Sequence, residues 1–232
     1  MSDIDMIVYS DISMELYHAL NRGVEKRALF LDTQDYMRFV HDMRLFNDTK
    51  RAENVSYILS HPHIDVRHRY EGERLVDIHG WCLMKNHYHL LLSERIDGGI
   101  SKFLQKLNGG YAKYFNERYG RVGTLYQGKS KKILIDSDAH FLHILHYIHL
   151  NPLDYIKSAA TWRERKITKV KAAVEYLSQY RWSSYREYCG ANDAYPIVST
   201  ELFNDVFKDY QKSLTSYLAD LEIETPASFL LE

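Results

Sequence analysis

Two short segments hold the residue types able to do metal or nucleophile chemistry. In Met84-Lys85-Asn86-His87-Tyr88-His89-Leu90-Leu91-Leu92-Ser93-Glu94, the imidazoles of His87 and His89 fall on alternate residues. On a strand they project from one face while Tyr88 projects from the other, so both can chelate a single divalent ion when neutral. In the segment from His140 to Pro152, the residues His143, Tyr147 and Asn151 recur every fourth position, which makes one stripe on a helix. His140, His143, His146 and His149 recur every third position and rotate by about 60° per step, so the ends of that ladder face opposite sides. The other alternating pair, His61-Pro62-His63, lies in a polar stretch where no sheet fixes its geometry.

The elements that must position these residues follow from periodicity and turn chemistry. Residues 13–20 alternate as a strand and end at the turn signal Asn21-Arg22-Gly23. Asp32 or Thr33 caps a helix to about Asn47, with Tyr36, Phe39, Val40, Met43 and Phe46 at helical spacing. Two strands, 75–84 and 87–93, flank a Lys85-Asn86 turn, and a second helix runs from Gly98-Gly99 to about Tyr119, with Gly109-Gly110 as a point of bending. A fourth strand at 129–136 precedes a third helix from Ser137 or Asp138 to Asn151, stopped by Pro152. The order strand, helix, strand, strand, helix, strand predicts an α+β fold: a ferredoxin-like (RRM-like) split βαβ antiparallel sheet with the Tyr147 helix added. Residues 1–152 read as the catalytic domain, with a polar insertion at about 49–73. Residues 153–232 read as an extension, part of the same unit to about residue 190 and then an acidic helical tail.

At 45% hydrophobic and 26% charged, the chain has a globular composition. It contains no apolar run long enough to span a membrane, and its acidic start lacks the pattern of a signal peptide. The two cysteines, Cys82 and Cys189, form no zinc or disulfide framework, which suits a reducing cytoplasm. The net charge of −1 conceals segregation. Residues 101–135 carry eight cations against Glu117 alone, while residues from 191 onward carry eight acids against Lys208 and Lys212. Phosphate binding depends on local cation density. Arg22, Lys102, Lys106, Arg118, Arg121, Lys129 and Lys131 are therefore candidate nucleic-acid contacts. Tyr111, Tyr114, Phe115, Tyr119 and Tyr126, interleaved with them, offer rings that could stack on bases or fill a core.

Taken together, the ordered blocks resemble the HUH single-tyrosine transposases, in the REP-associated branch of the insertion-sequence transposases. The blocks are Asn21-Arg22-Gly23, Met84-x-Asn86-His87-x-His89-Leu90-Leu91, Tyr111-x-x-Tyr114-Phe115-Asn116, Gly123 to Lys129, Tyr147-Ile148-x-x-Asn151-Pro152 and Tyr180-x-Trp182-Ser183-Ser184-Tyr185. The likeness spans roughly residues 14–190; Lys85 stands where relatives commonly carry proline, and Tyr126 where they carry tryptophan. The resemblance implies that His87, His89 and Asn151 hold Mg or Mn and that Tyr147 is the nucleophile. It further implies cleavage and rejoining of single-stranded DNA at hairpin-forming palindromic repeats, through a 5′-phosphotyrosine, by a monomer or homodimer. Two other readings keep parts of the pattern: a non-catalytic hairpin-binding module of the same fold, and a zinc hydrolase in which Tyr147 is dispensable.

Overall fold

A computed structural model describes residues 14–50, 72–164, 167–191 and 197–219. Its first seven major elements are β1 (Leu16–Arg22), α1 (Thr33–Leu45), β2 (Val76–Met84), β3 (His87–Glu94), α2 (Gly99–Arg118), β4 (Lys131–Leu134) and α3 (Asp138–Leu150). The strands assemble in the order β2-β3-β1-β4, with every pairing antiparallel. This is the expected α+β split βαβ sheet, with α3 appended. Most of the insertion expected at 49–73, the pair His61/His63 and the chain beyond 219 lie outside the described residues.

Local chemistry sets the helix ends. The Asp32 carboxylate accepts from the Asp35 N–H at 3.1 Å and starts α1; Ser137 accepts from His140 N–H at 3.3 Å and starts α3. Pro152 ends α3 in a single 3₁₀ turn, Asn151–Tyr155. The expected bend at Gly109-Gly110 does not occur, because α2 runs unbroken from Gly99 to Arg118. Gly110 serves packing instead: a Cβ there would fall 2.2 Å from the Phe46 ring at the end of α1.

A register shift between Ile78 and Gly80 lets β2 change parity. Val76, Ile78, Trp81 and Leu83 then share one face with Ala19, Tyr88, Leu90 and Leu92, under Phe39 and Met43 of α1 and Phe103, Leu107 and Tyr111 of α2. On the other face Leu16, Cys82, Met84 and Leu91 meet Phe141, Ile144, Leu145 and Ile148 of α3. Each fully buried aliphatic or aromatic side chain contributes about 1.5–3 kcal/mol. Both faces are covered, so β3 is buried along seven of its eight residues.

The C-terminal extension builds a further layer. α4 (Val170–Gln179), α5 (Tyr185–Tyr188), α6 (Glu201–Val206) and α7 (Tyr210–Ala219) bring Val174, Leu177, Phe203, Tyr210 and Leu214 into the same core as α3. Within the described residues after 191, α6 and α7 carry Phe203, Tyr210, Leu214, Tyr217 and Leu218 into that core. His149 of α3 is fully buried, its ring nitrogens 2.7 Å from Tyr210 Oη and 2.7 Å from Ser184 Oγ. Residues Trp182–Ser184 line the outer edge of β2, where Leu83 N–H donates to the Trp182 carbonyl and Ser184 N–H to that of Trp81.

Candidate active site

Strand alternation places His18 and Arg22 of β1 and His87 and His89 of β3 on the face that α3 covers. Leu20 pairs with His89, and Arg22 with His87. Tyr147 descends from α3 onto this group. Its ring centroid is 6.0 Å from that of His89 and 6.0 Å from that of His18, and the His87 and His89 centroids are 5.0 Å apart. The metal pair and nucleophile that the resemblance implies therefore lie on one sheet face, with Tyr147 against His89 and His89 against His87.

Hydrogen bonding sets the imidazole of His87. The Asn86 amide is oriented by donation from Nδ2 to the Lys26 carbonyl at 3.2 Å, so its Oδ1, 2.7 Å from His87 Nδ1, accepts the Nδ1 proton. His87 Nε2 is left with its lone pair, buried and without a hydrogen-bond partner among the described residues. Burial, reinforced by the charge of Arg22, pushes the pKa of His87 down to about 4. Burial also holds His89 well below the ordinary histidine range, with His87 and His18 adding to the effect. Both rings are neutral at physiological pH, the state in which an imidazole ligates a metal ion, so the pair fits a divalent ion. Among the described residues, no set of three His, Cys, Asp or Glu side chains is grouped to hold one.

Asn151 lies one turn beyond Tyr147, and both ends of its amide are engaged. Nδ2 donates to the Tyr147 carbonyl at 2.9 Å, and Oδ1 accepts from Arg163 Nη2 at 2.8 Å. Arg163 also pairs with Asp154, and its guanidinium sits 4.2 Å from the Trp162 ring and 5.9 Å from the Tyr147 ring. Three members of the histidine ladder, His143, His146 and His149, face the C-terminal layer, while the fourth, His140, stays close enough to His18 to help lower that ring's pKa. His146 stacks between Tyr210 and Tyr217, and His143 lies against Tyr217.

The candidate nucleic-acid contacts divide by what holds them. Arg118 bonds to Asp32 and to the fully buried Asp35, tying the end of α2 to the start of α1. Lys106 donates to the carbonyls of Asp48 and Lys50, and Arg121 to Asn116. Lys102, Lys129 and Lys131 are exposed. Lys129 and Lys131 share with Asn21, Arg22 and Gln127 a depression of about 300 Å³. Of the interleaved rings, Tyr111 and Phe115 are core.

Sequence reasoning missed two residues at this site, His18 and Arg163. His18 becomes visible only through the β1–β3 register, and Arg163 lies in the extension after Pro152, where no motif marks it.

Residues 50–151, which carry His87, His89, Tyr147 and Asn151, match the family model described as "Transposase IS200 like". β1 and the C-terminal layer lie outside the matched stretch. A solved structure described as "Structure of the REP associates tyrosine transposase bound to a REP hairpin" aligns with a TM-score of 0.44 at 16% sequence identity, covering 85% of this chain and 90% of that one. No curated protein matches the chain by sequence.

Proposed function

We propose that the protein cleaves and rejoins single-stranded DNA at hairpin-forming repeats, with Tyr147 as nucleophile and a divalent ion, Mg or Mn, at His87 and His89. The observation that carries this reading is the meeting of Tyr147 with two buried, neutral histidines on one sheet face, within a stretch that matches transposases. As the Tyr147 phenol gives up its proton to water, its oxygen attacks the scissile phosphorus and forms a 5′-phosphotyrosine. The bond to the 3′ oxygen breaks, and that oxygen takes a proton from water and leaves as a 3′-hydroxyl. The phosphodiester is exchanged rather than hydrolysed, so the 3′-hydroxyl of a strand can reverse the step. The bound ion supplies positive charge to the scissile phosphate and the leaving oxygen. His87 and His89 would hold the ion, and Asn151 would join them if its amide oxygen were released from Arg163. Arg163 and Arg22 add fixed positive charge beside the phosphate position. Lys102, Lys129 and Lys131 bind the flanking backbone, and the packed C-terminal layer keeps α3 in place.

The test incubates the protein with hairpin-flanked single-stranded DNA and Mn²⁺, followed on denaturing gels. Cleavage that needs metal, and is lost in His87→Ala and His89→Ala, supports the reading. Binding without cleavage, unaffected by chelator, would identify a hairpin-binding module instead.

A further inference from the structure

His18 is fully buried beneath Tyr147, and its Nε2 lies 2.9 Å from Nδ1 of His89 with the two rings stacked 5.1 Å apart. A hydrogen bond between two ring nitrogens carries one proton, so one ring donates and the other accepts. Which one donates decides what His89 presents to the site. If His89 donates from Nδ1, its Nε2 carries a lone pair; if it accepts there, Nε2 carries a proton and cannot ligate a metal. His87, two residues away on the same face, already has its Nδ1 proton taken by Asn86 and its Nε2 lone pair exposed to the site.

We infer that His18 is the positioning residue of the metal pair: it accepts the Nδ1 proton of His89, fixing that ring's tautomer and orientation so that both Nε2 lone pairs converge. The inference rests on the proposed metal-dependent function. It adds a role for a residue outside the stretch that matches the family model. Outer hydrogen-bond partners of metal-bound histidines raise ligand basicity, and removing one typically costs about 10- to 100-fold in metal affinity.

Two measurements on the full chain test it. Titration calorimetry with Mn²⁺ alone should show binding that His87→Ala and His89→Ala abolish. His18→Phe, which keeps the ring volume and removes the acceptor, should weaken binding about 10- to 100-fold. His18→Gln, whose side-chain oxygen can accept, should recover much of that loss. Wild-type affinity in His18→Phe would overturn the inference. Long-range ¹H–¹⁵N correlation spectra of metal-free wild-type protein give a second reading that needs no variant to fold. His89 protonated at Nδ1 supports the role of His18, and His89 protonated at Nε2 overturns it. If the wild-type protein holds no Mn²⁺ through His87 and His89, the proposed metal chemistry fails, and the tautomer spectrum alone decides the role of His18.

Discussion

The Tyr147 ring stands nearly perpendicular to the imidazole of His89, at 87° with 6.0 Å between centroids. Helix α3 and strand β3 are joined through α2 and β4, so this juxtaposition is a product of the fold and not of local sequence. It sets a phenol beside two neutral imidazoles where water is nearly excluded, since Tyr147 is 3% and His89 0% exposed. Charge developing on a phosphate there is weakly screened, which gives each nearby cation more influence than it has in water.

Arg163 is the first such cation. Its guanidinium holds the Asn151 amide oxygen and lies against the Tyr147 ring. Arg163→Met should lower the single-turnover cleavage rate about 10- to 100-fold, less than the full loss of an oxyanion donor because the side chain is partly exposed. Quench-flow rates at saturating Mn²⁺ measure it, and an unchanged rate would remove Arg163 from the reaction.

The cations of the basic segment should separate by their partners. Lys129→Ala and Lys131→Ala should each weaken single-strand binding and flatten the dependence of log affinity on log salt by about 0.7 for each phosphate no longer neutralised. Arg118→Ala should leave that slope unchanged and lower stability by about 1–3 kcal/mol, because Asp35 stays buried without its charged partner. Fluorescence anisotropy across a salt series, paired with urea denaturation, distinguishes the two classes.

The C-terminal layer is predicted to fold as one unit with the sheet and α3. Leu214 is fully buried against the core that α3 shares. Leu214→Ala should cost about 2–4 kcal/mol in a single cooperative transition. A separate, unaffected first transition in calorimetry would mean that the layer is an independent appendage.

Stability should fall with acid through His146, which burial pushes down to about 3. Above the ordinary histidine pKa the ring is neutral in folded and unfolded chains alike and contributes no pH dependence. As pH drops below about 6.5, the unfolded chain takes up a proton that the folded chain refuses, so stability declines until pH approaches 3. By pH 4.5 the loss from this one group should reach roughly 2 to 3 kcal/mol, and His146→Phe should remove that share of the slope. Denaturation midpoints at a series of pH values read it directly.

The sequence exposed the strand alternation of His87 and His89 and the helical stripe of Tyr147 and Asn151, because both depend only on local periodicity. The order of elements, and hence the sheet, was legible in the same way. His18 escaped it because its role depends on strand register, and the partner of Asn151 escaped it because Arg163 reaches back from a 3₁₀ turn with no pattern of its own. Charge density in the basic segment is legible in sequence, but the engagement of Arg118 by Asp32 and Asp35 is a tertiary fact. The separated blocks Asn21-Arg22-Gly23, Asn86-His87 and Gly123 to Gly128 do meet. Gly23 N–H donates to the Asn86 carbonyl, and Gln127 N–H to that of Arg22.

The central claim is tested most directly by trapping the covalent product. Wild-type protein is incubated with hairpin-flanked single-stranded DNA and Mn²⁺, digested with protease and nuclease, and mapped by mass spectrometry. The account predicts a nucleotide-phosphate adduct on the peptide bearing Tyr147, absent from Tyr147→Phe. An adduct on another tyrosine, or one that persists in Tyr147→Phe, would contradict it.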